Sequence, residues 1–302
     1  MDLVLPVERL PLAGETIPGG DLALFPGGKG ANQACAVGRL GGRVAFVGQM
    51  GDDAFGSRLI ASLEQAGVDT SRAGVCKTPT GCACIYVLPN GENSIVISAG
   101  ANGTVLPETT LPKLDLLHEG CYLLSQLEIP LATVEAALAR AKAAGATTIL
   151  DPAPVRPLSL ELLRCVDFLT PNQTEAAALL GDPNLEIGDF GQAAYAAERL
   201  LSLGPRAVVL KLGSLGCYVA AGKVREAAPG FEVAAVDTTA AGDIFNGAFA
   251  VALAEGRDVA GAARFANAAA AISVTRPGAQ TSVPSRDEVE ELLSGRIPVV
   301  SE

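Results

Sequence analysis

The chain has 302 residues, 49% of them hydrophobic and 18% charged, and its 22 basic and 33 acidic side chains leave a formal net charge of −11. This acidic balance argues against nucleic acid as a partner, because nucleic-acid-binding proteins carry a clustered basic face. It also argues against binding to an anionic membrane surface. No run approaches the ~18 uncharged apolar residues of a spanning helix, and the amino terminus has no signal-peptide pattern.

The cysteine and histidine content indicates an intracellular protein without a histidine-rich metal site. Seven cysteines are scattered along the chain, and this odd number favours reduced thiols in the cytoplasm over a disulfide framework. Cys82 and Cys84 have a spacing found in some metal sites, but an alternating strand also explains them as small residues on one face. The single histidine, His118, lies in a polar stretch and is expected at the surface.

The first hundred residues combine two patterns. Residues 3–28 and about 80–99 are strand-like, and they flank a helical segment at about 30–66. Asn90-Gly91 between two β-rich runs predicts a hairpin with a type I′ turn, in which both residues have positive φ. We interpret the two strand-like pieces as a small discontinuous sheet that covers a site as a lid.

From about residue 120 onward, short apolar runs alternate with segments of helical period. Strands are predicted at 121–127, 147–150, 168–170, 207–212 and 231–236, and helices at 132–144, 160–166, 175–180 and 192–203, with a long helix from Gly242. Nearly continuous hydrophobic strands between helices are typical of a parallel sheet covered on both faces. We therefore predict a doubly wound, mainly parallel α/β sheet with the small lid sheet, in one domain spanning residues 1–302.

The first motif that carries chemistry is Gly27-Gly28-Lys29-Gly30-Ala31-Asn32 before a helical pattern. It is not a Walker A loop, because no Ser or Thr follows the lysine. Its glycines let backbone amides approach a ligand closely, and Lys29 and Asn32 offer donors to the hydroxyls of a polar ligand. The alternative is a strand-to-helix turn that uses glycine for geometry alone.

The second motif, Asp237 to Ala248, opens the long helix. The small residues Ala240, Ala241 and Gly242 leave N–H groups unscreened at a helix start, which is a ready anion site. Asp243 there is suited to act as a general base for a hydroxyl that attacks phosphate. The alternative is that Asp243 only complements the helix dipole.

Two further motifs also fall at predicted strand ends, where ligands of parallel sheets bind. Asn172 and Glu175 form either a capping box or a pair that holds the water shell of Mg²⁺. The segment from Lys211 to Gly216 either passes close to a nucleotide or simply turns the chain.

Together these motifs resemble the signatures of the ribokinase, or PfkB-type, family of carbohydrate kinases. Residues 27–33 and 237–243 match its two signatures, Asn172 and Glu175 match its Asn-x-x-Glu motif, and the likeness runs from Asp2 to about Leu293. It is extended by Leu127-Glu128, Asp151-Pro152-Ala153-Pro154 and Thr275-Arg276-Pro277-Gly278-Ala279-Gln280.

The resemblance implies the family's fold, with ATP-dependent phosphorylation of D-ribose at its 5-hydroxyl. It implies that Asp243 takes the proton of that hydroxyl, while the amides of Ala241 and Gly242 stabilise charge on the transferred phosphoryl group. The residues that would hold sugar hydroxyls are Asp2, Gly28, Lys29, Gly30, Ala31, Asn32, Glu128 and Asp243. The residues that would line the nucleotide pocket are Asn172, Lys211, Leu212, Gly213, Ser214, Leu215, Gly216, Gly242, Asp243 and Asn267.

The resemblance also implies two ions and a homodimer formed through the lid. Glu175 would lie near Mg²⁺ through water. The residues implied for K⁺ are Asp237, Thr239, Ser273, Arg276, Gly278 and Ser282. Family members usually begin with a strand and a Gly-Ser-x-Asn turn before the position of Asp2, so we expect upstream in-frame codons that encode them. The alternatives are a kinase of another sugar or nucleoside, such as 2-deoxyribose, and a non-catalytic sugar-binding relic.

Overall fold

A six-stranded sheet lies at the centre of residues 1–296, the part of the chain that the structure, a computed structural model, describes. Its order is β12-β11-β10-β9-β8-β7. The strands are β7 Tyr122–Ser125, β8 Thr147–Leu150, β9 Phe168–Leu169, β10 Ala207–Lys211, β11 Gly216–Ala221 and β12 Val224–Pro229. β7 to β10 are parallel, and β11 and β12 continue the sheet as an antiparallel hairpin. The carboxyl ends of four strands therefore meet at one edge.

Helices cover both faces of this sheet, as the sequence predicts. They are α1 Lys29–Arg39, α2 Ala54–Gln65, α3 Pro107–Thr110, α4 Leu131–Ala143, α5 Leu160–Leu163, α6 Gln173–Leu179, α7 Phe190–Leu201, α8 Ala241–Ala254, α9 Val259–Ser273 and α10 Arg286–Leu293. Val209 of β10 packs in the cluster with α1, α8 and α9, whereas Val208 and Leu210 pack with α4 and α7. Because both faces of the strand are buried, its sequence is continuously apolar.

A second sheet has the order β2-β1-β5-β6. Its strands are β1 Asp2–Pro6, β2 Ala23–Phe25, β5 Cys82–Val87 and β6 Asn93–Ser98, and a separate short pair is formed by β3 Gln49–Gly51 and β4 Gly74–Cys76. This sheet brings together strands from both predicted pieces, 3–28 and 80–99, but residues 7–22 of the first piece form no strand. That it acts as a lid within one domain stays a prediction, and residues 297–302 of that domain lie outside the described residues.

The predicted type I′ turn between β5 and β6 is wrong. Gly91 has φ +83, but Asn90 does not have positive φ. The N–H of Gly91 donates to the carbonyl of Leu88, and the N–H of Leu88 donates to the carbonyl of Glu92. Pro89 explains the difference, because its fixed φ suits the first central position of a turn in a three-residue loop that ends on a left-handed glycine.

Two other sequence predictions of elements are corrected. Residues 231–236 form no strand, because the chain has already completed the hairpin of β11 and β12 and finds no ladder partner there. The helical segment at 30–66 is divided into α1 and α2, with β3 between them. No helix within residues 1–296 has the length and apolar character that crossing a membrane requires.

Candidate active site

Asp243 lies in the first turn of α8, where the amino-terminal turn of α1 packs against it. Its carboxylate accepts hydrogen bonds from Asn32 Nδ2 at 3.0 Å and Gln33 Nε2 at 3.4 Å. Lys29 Nζ lies 3.9 Å from its Oδ1. Only 4% of Asp243 is exposed. The structure thus joins the two signature motifs, 211 residues apart, around one buried carboxylate.

The protonation of Asp243 follows from this burial. Removal from water raises the pKa of Asp243 to about 6, because burial penalises the charged form. The ammonium of Lys29 opposes this rise, and the carboxylate of Asp151 adds to it. A carboxylate with a pKa near 6 is mostly ionised at neutral pH and still accepts a proton readily, which suits a general base.

The start of α8 presents backbone donors beside this carboxylate. Ala240 takes the left-handed conformation, φ 60 and ψ 8, and caps the helix without a side-chain hydrogen bond. The N–H of Ala241 donates to Thr238 O at 3.3 Å, whereas those of Gly242 and Asp243 have no acceptor among the described residues. Free N–H groups at the positive end of a helix attract an anion. The predicted anion site is therefore geometrically present.

The predicted sugar-binding residues lie around the start of α1. Lys29 N–H donates to Glu128 Oε2 at 2.9 Å, and Asp2 packs so closely on Gly27 that a Cβ there would lie 2.1 Å from Asp2 Oδ2. Burial raises the pKa of Asp2. Burial alone would lower the pKa of Lys29. The nearby carboxylates, above all that of Asp243, outweigh burial and raise this pKa.

Three other predicted sugar-binding residues contribute little through side chains. Gly28 has φ +96, which favours glycine at the turn into α1. Gly30 lies against Gln126, because an added Cβ would be 3.1 Å from Gln126 Oε1. Ala31 is buried in a hydrophobic cluster with Met1, so its side chain does not face a ligand.

A cavity of about 400 Å³ opens beside Asp243. It is lined by Lys29, Asp151, Asn172, Gln173, Thr174, Glu175, Lys211, Gly213, Thr238, Ala240, Ala241, Gly242 and Asp243. Of the predicted nucleotide residues outside this lining, Leu212 is buried in the core. Gly216 faces the carbonyl of Ala228, and Asn267 donates to the same carbonyl at 2.8 Å. The structure thus brings together only part of the predicted nucleotide-binding residues, because Gly216 and Asn267 contact β12 and not the cavity.

Asn172 and Glu175 form the capping box, which is one of the two alternatives that the sequence leaves open. Asn172 Oδ1 accepts from the N–H of Glu175 at 2.8 Å, and Glu175 Oε2 accepts from the N–H of Asn172 at 2.7 Å. Burial raises the pKa of Glu175, and Lys211 opposes the rise. Each carboxylate oxygen has two lone pairs, so Glu175 retains capacity toward the cavity. These residues therefore fit a water-mediated Mg²⁺ site as well as a cap.

The predicted K⁺ residues are brought together in part. Asp237 accepts from the N–H of Thr239 at 2.9 Å and from that of Gly278 at 2.8 Å. Burial opposes ionisation, but these bonds outweigh it and lower the pKa of Asp237. Arg276 pairs with Glu288 instead, so only its backbone is available to a cation. The hydroxyls of Ser273 and Ser282 donate to carbonyls one turn earlier. The oxygen-rich donor set fits a monovalent cation.

Sequence reasoning missed three polar residues of the site. Gln33 Nε2 donates to Asp151 Oδ2 at 3.2 Å as well as to Asp243, and Gln126 donates to Gln33. Asp151 also accepts from Lys211 Nζ at 3.0 Å. Gln126 and Asp151 directly follow β7 and β8, so their position at parallel strand ends was a usable signal.

Comparisons with known proteins find carbohydrate kinases among the relatives of this chain. The sequence profile described as pfkB family carbohydrate kinase matches residues 1–286. A ribokinase of Bacillus subtilis (strain 168) is 43% identical over 295 residues, covering 97% of this chain and 96% of the relative. The crystal structure of a ribokinase from Thermotoga maritima is 41% identical with a TM-score of 0.87, covering 97% of this chain and 96% of that one. The structure of Arabidopsis thaliana ribokinase complexed with ribose and ATP is 36% identical with a TM-score of 0.86, covering 97% of this chain and 95% of that one.

Proposed function

The chain belongs to the pfkB family of carbohydrate kinases, and from this we propose that it transfers the terminal phosphoryl group of ATP to the 5-hydroxyl of D-ribose. The observation that carries the proposal is the buried carboxylate of Asp243 beside free N–H groups at the start of α8. A base next to an anion site is what a hydroxyl needs to attack a phosphate.

The reaction proceeds by in-line attack at the terminal phosphorus. The ribose 5-oxygen forms a bond to that phosphorus, its proton passes to the Asp243 carboxylate, and the bond to the β-phosphate oxygen breaks to release ADP. The free N–H group of Gly242 stabilises the charge on the moving group, whereas the N–H of Ala241, also expected to do so from the sequence, donates to Thr238 O instead. Lys29 lies 3.9 Å from Asp243 and helps to keep its carboxylate ionised.

The sugar is held on the side of the site formed by α1 and the second sheet. Asp2, Asn32 and Glu128 supply hydrogen-bonding groups for its hydroxyls, and Asn32 Oδ1 is buried with no partner among the described residues. An unpaired buried polar atom is costly, so a ligand hydroxyl there would satisfy it. This supports the assignment of Asn32 to substrate binding.

The nucleotide occupies the cavity beside α8, with Asn172, Lys211 and Gly213 along its walls and Asn267 farther away. Glu175 would hold Mg²⁺ through water, and the ion would neutralise phosphate charge when bound. Asp237 and Thr239 would hold K⁺, together with the oxygens of Ser273, Arg276, Gly278 and Ser282. This K⁺ assignment is supported by the ionised carboxylate of Asp237, which accepts hydrogen bonds from the N–H groups of Thr239 and Gly278 and so joins their two loops.

The protein forms a homodimer through the second sheet and acts in the cytoplasm. The edge strand β6 exposes Ile95, Val96 and Ile97, which are 52%, 63% and 60% accessible. Such an apolar surface favours a partner. The seven cysteines are free thiols, which is usual in a reducing compartment.

The test is a phosphorylation assay with ATP and Mg²⁺ in which the sugar product is identified by mass and by ³¹P coupling. We expect ribose 5-phosphate as the main product, formed faster with K⁺ than with a bulky organic cation at equal ionic strength. Faster turnover of 2-deoxyribose or a nucleoside would replace the substrate assignment. Tight ribose binding without ATP consumption would instead indicate a non-catalytic relic.

A further inference from the structure

Lys211 lies on the wall of the nucleotide cavity, but its buried charge has no role yet in the proposed chemistry. Its Nζ donates to Asp151 Oδ1 at 3.0 Å, and the side chains of Lys211 and Asp151 are 12% and 3% exposed. Both residues line the cavity beside α8. We propose that the Lys211 ammonium binds an oxygen of the nucleotide's phosphate chain and that Asp151 is the positioning residue that holds it there. This inference rests on the proposed function.

The ammonium and the helix start converge on the same space. A Cβ placed on Gly242 would lie 3.3 Å from Lys211 Nζ, so the charge is adjacent to the free N–H groups of Gly242 and Asp243. A cation next to helix amides binds one anion with both sets of donors. Lys211 therefore extends the anion site of α8 from neutral amides to a charged donor.

The hydrogen-bonding capacity of Lys211 points in the same direction. An ammonium has three donors, and among the described residues Nζ donates only to Asp151. Asp151 is itself fixed by a second donor, Gln33 Nε2 at 3.2 Å. The carboxylate is thus held from two sides, while donors of Lys211 remain available to the cavity.

The charges that line the cavity favour a role for this cation in binding a polyphosphate. Three carboxylates line it, those of Asp151, Glu175 and Asp243, against two ammonium groups, those of Lys29 and Lys211. The charge of Lys29 lies 3.9 Å from Asp243, the proposed base, and is thus paired with that carboxylate. Without Lys211, the nucleotide side would present carboxylates to an anionic ligand, and like charges repel.

The competing explanation is a buried ion pair that only joins the end of β10 to the end of β8. The two explanations differ for a double variant. Removing one partner of a buried pair is destabilising, whereas replacing both with neutral residues often restores stability. Lys211→Met combined with Asp151→Asn therefore separates a structural role from phosphate binding.

The experiment is calorimetric titration with ATP, ADP and adenosine, with Mg²⁺ present and no sugar, alongside thermal melting. We expect Lys211→Met to weaken ATP and ADP roughly 10- to 100-fold, with no change for adenosine, and to lower the melting temperature. In the double variant the melting temperature recovers, while ATP and ADP remain weak. Lys142→Met, which removes a lysine 3.8 Å from Asp167 away from the cavity, is the matched control and leaves all three affinities unchanged.

Recovery of wild-type ATP affinity in the double variant would overturn the phosphate-binding role and leave a structural ion pair. Equal weakening of adenosine would overturn it as well, because the loss would not depend on phosphate. A wild type that bound ATP but transferred nothing to ribose would refute only the proposed function. A wild type that bound no nucleotide would refute both.

Discussion

At the scale of single residues, burial turns the side chain of Asp243 into a useful base. A solvent-exposed aspartate has a pKa near 4, too low to accept a proton readily from a hydroxyl. Burial raises the pKa of Asp243 to about 6, and Asp151 contributes to the rise while Lys29 and Asn32 oppose it. The carboxylate is held in a hydrogen-bonded network, so its strength as a base depends on its neighbours.

This network predicts a specific pH dependence. Because the ionised form of Asp243 is the base, kcat/KM should rise with pH through an acid limb near pH 6. Asp151→Asn removes a negative neighbour and leaves the positive Lys211 without its partner, and both changes lower the pKa of Asp243. The acid limb should therefore move to lower pH, as measured by kcat/KM between pH 4.5 and 8.

The control is Asp243→Asn, which should reduce kcat by roughly 10²–10⁴ and abolish the limb while ribose still binds. Glu135→Gln, at a half-buried carboxylate outside the cavity lining, should leave the profile unchanged. An acid limb that stays in place or moves upward in Asp151→Asn would contradict the proposed coupling.

The candidate-site residues that the sequence predicted are those that lie within recognisable local motifs. Lys29, Asn32 and Asp243 were found because a glycine-rich turn and a helix start give local signals. Gln33 and Asp151 were missed, because their hydrogen bond joins positions 118 residues apart. The end of β8 marked Asp151 as a candidate, but its contact with Gln33 depends on how α1 packs against the sheet, which no local pattern contains.

At the scale of elements, the predictions were correct where hydrophobic periodicity determines the secondary structure. They were wrong where the secondary structure depends on strand pairing. The buried strands β8 and β10 and the helices around them follow from continuous apolar runs. Residues 231–236 have an equally strand-like composition, but β11 and β12 already pair with each other. Strand formation needs a partner, and the partner is set by tertiary structure.

The turn from β2 into α1 gives the second prediction. Gly27 has ordinary backbone geometry, but a Cβ there would lie 2.1 Å from Asp2 Oδ2. Gly27→Ala should therefore fold and displace the Asp2 side chain, which weakens a charge-assisted hydrogen bond to the sugar. We expect KM for ribose to rise about 10-fold, with kcat and KM for ATP nearly unchanged.

Steady-state kinetics with each substrate varied in turn would measure this. The matched control is Gly103→Ala, where the added Cβ meets only Ala99 Cβ at 3.9 Å and the kinetics should be unaffected. An equal rise of both KM values would show that the substitution disturbs the site as a whole, and would remove Asp2 as its target.

At the scale of the whole molecule, the second sheet connects the sugar site to an exposed apolar surface. Its register places Asp2 in one row with Ala83 and Ile97, and Val4 in one row with Ile85 and Ile95. Paired residues and alternate residues of a strand share a face. The face that carries Asp2 therefore continues into Val4, Ile85, Ile95 and Ile97. The sequence predicted the sheet, but this shared face follows only from its register.

The third prediction concerns assembly through that face. A second copy that covers Ile95 and Ile97 would bury the apolar surface and fix the sheet over the sugar, because Asp2 belongs to the same face. Wild-type protein should have about twice the 30.6 kDa mass of one chain by light scattering. Ile95→Lys with Ile97→Lys should give monomers, because like charges and desolvation oppose association.

The same double variant should raise KM for ribose while leaving the affinity for ADP unchanged, since the nucleotide cavity has no residue from this sheet. Val96→Lys is the matched control, because Val96 has similar exposure but points to the opposite face. A monomeric wild type would refute assembly through this face. A dimer that survives both lysines would place the contact elsewhere, and loss of the dimer without a change in ribose KM would show that assembly and sugar binding are independent.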